Sequence, residues 1–129
     1  KELLETGHSV IYFTAHRLFD LLAKNAFRRE YQNLPEYQNI FSCDLLIIDD
    51  LGTELTNSFV SSQLFLVVNE RILKKKATII STNLSLEKFA EIYSERTFSR
   101  ILGSYTLIRL FGRDIRIQKT LQGKKEKDL

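Results

Sequence analysis

Apolar and polar positions divide the chain into short apolar runs and longer amphipathic stretches. Ser9-Val10-Ile11-Tyr12-Phe13-Thr14 is β-branched and aromatic, is bounded by Gly7, and predicts a buried strand. Residues 1–6 before it read as the last turns of a helix that Gly7 closes. After it a helix is expected over residues 15–30, with Leu18, Leu21, Leu22 and Ala26 at helical spacing. Pro35 suits the start of a shorter helix over residues 36–41, where a missing N–H costs no hydrogen bond. Cys43-Asp44-Leu45-Leu46-Ile47-Ile48-Asp49 predicts a strand buried on both faces, as in a parallel sheet. Asn57 is expected to cap a helix running to Lys75, with Val60, Leu64, Val67, Val68 and Ile72 as its apolar stripe. Arg71, Lys74, Lys75 and Lys76 crowd its C-terminal end, where the helix dipole favours positive charge. Residues 77–82 predict another buried strand. A helix capped by Ser85 follows to Tyr93, then a short helix over residues 95–102 that Gly103 is expected to stop. Residues 105–110 predict a fourth strand and residues 114–118 a last edge strand. Strands alternating with helices predict an α/β fold with a parallel sheet.

The length of 129 residues suits one domain that buries roughly two-thirds of its unfolded surface. No apolar run approaches the roughly 20 residues that span a bilayer. The charged start, Lys1-Glu2-Leu3-Leu4-Glu5, does not fit a signal peptide, so a cytoplasmic protein is expected. The single cysteine, Cys43, excludes an internal disulfide and a cysteine-based zinc site. Net charge is +3, with nine basic and four acidic residues from Glu95 onward (+5) and therefore −2 before it. The basic C-terminal third is compatible with nucleic acid or phosphate ligands, and equally with a solubilising tail.

Open α/β sheets bind ligands at the carboxyl ends of their strands. That rule points to Thr14, to Asp49-Asp50 and to Thr82-Asn83. A carboxylate there is held rigidly enough to serve Mg²⁺, which needs one or two such oxygens besides water and phosphate. A second acid beside it can activate a water for phosphoryl transfer. The same pair also suits a plain strand-to-loop transition with solvated acids. Asn83 can hold a water near a terminal phosphate, or cap the following loop. Arg96 and Arg100 share one face of a short helix. They suit either an arginine finger or a soluble surface.

Taken together, Asp44-Leu45-Leu46-Ile47-Ile48-Asp49-Asp50-Leu51-Gly52 with Glu54, Ile79-Ile80-Ser81-Thr82-Asn83, and Ser94-Glu95-Arg96-Thr97-Phe98-Ser99-Arg100-Ile101 resemble the DnaC/DnaI family of replicative helicase loaders. Gly7 to Thr14 and Arg17-Leu18 resemble that family's second core strand and following helix. The resemblance implies a P-loop NTPase core of the AAA+ type, binding ATP and Mg²⁺. It assigns Asp49 to the Mg²⁺-associated Walker B acid and Asp50 to the catalytic carboxylate, where AAA+ proteins usually carry glutamate. It assigns Asn83 to sensor 1 and Arg100 to the arginine finger acting in trans in a self-assembled complex, with Arg96 as companion. A hexameric replicative helicase and single-stranded DNA are the implied partners, the DNA through Lys24, Arg28 and Arg29.

One departure is large. No Gly-x-x-x-x-Gly-Lys-[Ser/Thr] occurs in the chain, and Gly123-Lys124 lies in the wrong context. The resemblance therefore implies that residues 1–129 are the C-terminal part of an AAA+ domain, without its first core strand and P-loop; the residues themselves suggest that 119–129 are a disordered tail. Such a fragment is expected not to bind ATP by itself. Its sheet is expected to expose edges, and so to rearrange or to oligomerise. An IstB-like transposition helper and a non-hydrolysing nucleotide-binding or interaction module are the alternatives. A receiver domain fits less well, because the acids fall on an interior strand and no phosphoacceptor pattern accompanies them.

Overall fold

The computed structural model describes residues 7–27, 35–52 and 57–109. The helix expected over residues 1–6 and the strand over 114–118 lie outside them. In chain order the described elements are β1 (Val10–Thr14), α1 (Ala15–Phe27), α2 (Pro35–Ser42), β2 (Leu45–Leu51), α3 (Ser58–Leu73), β3 (Ala77–Thr82), α4 (Leu86–Tyr93) and α5 (Glu95–Ser104).

The three strands form a parallel sheet in the order β1-β2-β3. Val10 pairs with Leu45 and Thr14 with Asp49; Leu45 pairs with Ala77 and Ile48 with Ile80. The aliphatic run of β2 thus takes the central position, where backbone groups are paired on both sides.

Burial on both faces is not what β2 shows. Leu46 and Ile48 are fully buried, and Ile11, Phe13 and Ile80 pack into the same core. Leu45 and Ile47 are half-buried. On their face of the sheet, Tyr12 is 57% and Ile79 53% exposed. The described helices cover one face, so a run of residues that are all apolar acquires an alternating burial. In α1, Leu18 and Leu22 are buried as expected, with Phe19 beside them, whereas Ala26 is exposed.

Helix α3 carries the core. Asn57 caps it, its Oδ1 accepting the Val60 N–H at 2.9 Å. Val60, Leu64, Val67 and Val68 are buried, and so is Arg71. The chain then leaves the helix through Lys75 at φ 57°, with Lys76 N–H donating to Arg71 O at 2.8 Å and Lys75 N–H to Ile72 O at 3.0 Å. This is the hydrogen-bond pattern of a Schellman stop, formed on lysine.

Two expectations after β3 are corrected. Helix α5 does not stop at Gly103 but runs to Ser104, with the Tyr105 N–H donating to Ile101 O at 2.8 Å. Gly103 keeps a helical backbone there; a glycine ends a helix when it turns left-handed. Residues 105–109 form no strand, and Leu107 and Ile108 are 48% and 67% exposed. Strand propensity becomes a strand only where a neighbour offers unpaired backbone groups, and the described sheet brings none to this segment. No helix among the described residues is long and apolar enough to cross a membrane.

Candidate functional site

The parallel register brings the carboxyl ends of β1, β2 and β3 side by side. Between Ile48 and Leu51 the pairing with β3 slips: Ile48 faces Ile80, but Leu51 faces Thr82. β2 therefore spends one residue more than β3 over this step, and the surplus falls on the acidic pair. Asp50 takes up the bulge at φ 57°, a left-handed conformation that aspartate tolerates better than most residues. Its N–H donates to Ser81 Oγ at 3.0 Å, replacing a ladder bond. Gly52 follows at φ 107°, and a Cβ there would lie 2.7 Å from Leu84 Cδ1. The turn after the acids thus needs glycine both for backbone conformation and for space.

Asp49 is held at both oxygens. Tyr12 Oη donates to Oδ2 at 2.5 Å, and the Ser81 hydroxyl donates to Oδ1. The carboxylate is thereby fixed by a side chain from each neighbouring strand, with Asp50 outside it and exposed. Tyr12 and Ser81 are contributors that sequence reading missed. Their place follows from the sheet register. Tyr12 lies two residues before the end of β1, and so diagonal to Asp49 in a parallel ladder. Ser81 follows Ile80, which faces Ile48, and so comes level with Asp49 on β3.

The other strand-end residues divide. Thr14 Oγ1 accepts the Arg17 N–H at 3.3 Å and so caps α1. Thr82 Oγ1 donates to Leu51 O at 2.5 Å and accepts the Leu84 N–H at 3.1 Å, tying β3 to the bulged strand. Asn83 follows immediately and is exposed.

Hard oxygen donors make up this cluster: the Asp49 and Asp50 carboxylates and the Ser81 hydroxyl. Among the described residues no group of three or more His, Cys, Asp or Glu side chains forms a metal cage. A single oriented carboxylate with a second acid beside it fits Mg²⁺, which keeps waters and phosphate oxygens as its remaining ligands.

The arginines stand elsewhere, on α5 against α3. The Arg96 guanidinium lies 4.0 Å from the centroid of the Phe65 ring, and Arg100 Nε donates to Asn69 Oδ1 at 3.0 Å. They line one open hollow of about 470 Å³ with Phe65, Asn69, Ser99, Gly103 and Ser104. The structure thus puts both arginines on one face, as their spacing implies, and in a different place from the acidic pair. Lys24 is exposed on α1 and ion-paired with Asp20 at 3.2 Å. Arg28 and Arg29 lie outside the described residues.

A family model for the IstB-like ATP binding proteins matches residues 2–118. The chain belongs to that family. This IstB-like chain is 28% identical over 117 residues to the replicative helicase loader DnaC of Escherichia coli strain K12, an overlap of 88% of this chain and 46% of DnaC. It spans about half the length of the curated relatives it matches. Among solved structures, a crystal structure of the DnaC helicase loader superposes with a TM-score of 0.67 at 21% identity, covering 81% of this chain and 63% of that one. Domain III of the Thermotoga maritima replication initiation protein DnaA superposes with a TM-score of 0.70 at 23% identity, covering 96% of this chain and 51% of that one. The parallel sheet and its flanking helices therefore share the fold of the DnaC helicase loader and of DnaA domain III.

Proposed function

We propose that this chain is the C-terminal part of an AAA+ ATPase domain that loads a hexameric replicative helicase onto DNA. The observation that carries the reading is the bulged end of β2. It holds Asp49 by both oxygens and leaves Asp50 exposed next to it, at the strand ends where such sheets bind ligands. The likeness to DnaC supplies the biological setting. The open sheet face around Tyr12 and Ile79 supports a larger domain, because an apolar face of a parallel sheet is ordinarily covered.

In this reading bound ATP and Mg²⁺ supply the phosphoryl group and its charge neutralisation. Asp49 would hold the metal through an oxygen whose direction Tyr12 and Ser81 set. Asp50 takes a proton from the attacking water, one methylene shorter than the usual glutamate, and Asn83 positions that water. Arg100, with Arg96, meets the phosphates of a neighbouring copy, so turnover requires assembly. Lys24, Arg28 and Arg29 contribute to single-stranded DNA binding. Residues 119–129, expected as a tail, lie outside the described residues.

The test is ATP turnover by the intact protein carrying Arg100→Ala. Nucleotide binding is expected to stay near that of the wild type while hydrolysis falls by roughly 10³-fold or more. Lost binding with unchanged turnover per bound nucleotide would overturn the role. A second reading, a transposition helper ATPase, draws on the IstB-like family match. Co-precipitation with a replicative helicase on one arm and a transposase on the other separates the two.

A further inference from the structure

Two pairs of residues meet across the α3–α5 contact with the same spacing. Phe65 and Asn69 are one helical turn apart on α3, and Arg96 and Arg100 one turn apart on α5. Phe65 lies under Arg96, and Asn69 accepts from Arg100. Each arginine therefore has its own holder.

The chemistry of the holders matters as much as their place. Among the described residues, neither guanidinium is ion-paired with a carboxylate. An amide oxygen and an aromatic face fix a guanidinium without neutralising it. The Asn69 bond uses Nε of Arg100 and leaves the two terminal nitrogens, four N–H groups in one plane, to meet another acceptor. Stacking on Phe65 constrains the plane of Arg96 while its edges remain donors. A carboxylate at position 69 would hold Arg100 just as well and cancel its charge.

We propose that Asn69 and Phe65 are positioning residues. They hold Arg100 and Arg96 as a fixed, fully charged fork for the phosphates of a nucleotide bound by a neighbouring copy of the protein. The inference rests on the trans-acting role of Arg100 given above, and adds to it the residues that prepare the fork before the neighbour arrives. Without them two long side chains would have to be ordered during each encounter, at a cost in conformational entropy.

The experiment measures ATP turnover by the intact protein with Arg100→Ala, Asn69→Asp, Asn69→Ala and Phe65→Leu, alone and mixed with Asp50→Asn subunits. Both Asn69 variants are expected to lower kcat by on the order of 10²-fold, Asn69→Ala because Arg100 is misplaced and Asn69→Asp because its held charge is cancelled, with KM and thermal midpoint close to wild type. Phe65→Leu, which keeps apolar volume and loses the ring, is expected to cause a smaller fall in the same direction. Mixing decides between positioning and mere structure. Asp50→Asn subunits cannot turn over ATP in this reading but carry an intact fork. Added to Asn69→Asp subunits, they should raise turnover well above the sum of the two. If Asn69→Asp is slow and the mixture gives no recovery, its defect lies within its own subunit and the proposal fails. Should both Asn69 variants turn over within twofold of wild type while Arg100→Ala is slow, the proposal fails and the trans role of Arg100 stands. If Arg100→Ala itself turns over normally, the underlying role fails first.

Discussion

Arg71 is fully buried, and its charge meets carbonyl oxygens rather than a carboxylate. Nε donates to Thr78 Oγ1 at 2.8 Å. Nη1 donates to Ile40 O at 2.9 Å and to Cys43 Sγ at 3.4 Å. Nη2 donates to Cys43 O at 2.9 Å and to Ala77 O at 2.7 Å. All five N–H groups of the guanidinium are thus used. Ile40 lies in the last turn of α2, so the cation also sits at the negative end of that helix. In sequence Arg71 belongs with Lys74, Lys75 and Lys76 to a cationic helix end; in the structure it is buried, whereas Lys74 and Lys75 are exposed. Lysine offers three donors on a point charge and cannot span these acceptors. Arg71→Lys should therefore cost about 2–4 kcal/mol, from two or more acceptors left without a donor at roughly 1–3 kcal/mol each. Urea unfolding with an unchanged m-value checks this.

At the scale of elements, the end of the sheet opposite the acidic pair is tied by Asp44. It joins the start of β1 to that of β2, and both to the segment before β3. Its carboxylate accepts the Ser9 N–H at 3.0 Å and the Ser9 hydroxyl at 3.3 Å. It also meets Lys76 Nζ at 3.5 Å and His8 Nδ1 at 3.4 Å. The Ser9 backbone N–H foremost, then Lys76 and His8, hold the Asp44 carboxyl below the usual range, against the opposing effect of desolvation. A carboxyl lowered in the folded state binds its proton more readily once unfolded. Its contribution to stability is therefore complete above the ordinary aspartate value of about 3.9, and is lost as pH falls through the lowered folded value. Asp44→Asn should flatten the corresponding part of the acid limb in a plot of urea midpoint against pH. An acid limb as steep as that of the wild type would show that the tie contributes nothing. The strand expected over residues 105–110 belongs at this scale too. Its composition favours a strand, but among the described elements it has no neighbour to pair with.

For the whole molecule, the described part of the fold is a parallel sheet with its helices on one face. The opposite face, with Tyr12 and Ile79 more than half exposed, passes directly beneath Asp49. The proposed nucleotide site and the open face are therefore continuous. If the chain is the C-terminal part of an AAA+ domain, as proposed, the rest of that domain would cover apolar surface and supply the phosphate cradle that these 129 residues lack. Isothermal titration with ATP and Mg²⁺ is expected to give no measurable binding to the 129-residue chain, and measurable binding to the intact protein. Binding by the short chain would mean that the strand ends suffice without a P-loop.

Element type was legible in the sequence wherever period and caps agreed. The aliphatic run of β2, the Asn57 cap and stripe of α3, and the paired arginines on α5 all follow from local spacing, and local spacing dictates which way a side chain points. The acidic pair and Asn83 were readable as strand-end residues for the same reason. Other features depend on contacts between segments far apart in the chain. The bulge that sets Asp50 at a positive φ arises from a mismatch between two strands. The clamp on Asp49 needs Tyr12 and Ser81 from different neighbours. The burial of Arg71 needs acceptors from α2, from Cys43 before β2 and from the start of β3. Asn69 and Phe65 acquire a role once α5 has packed on α3. In each case the side chain's own neighbourhood in sequence says nothing about its partner, because the partner is delivered by the sheet register and helix packing.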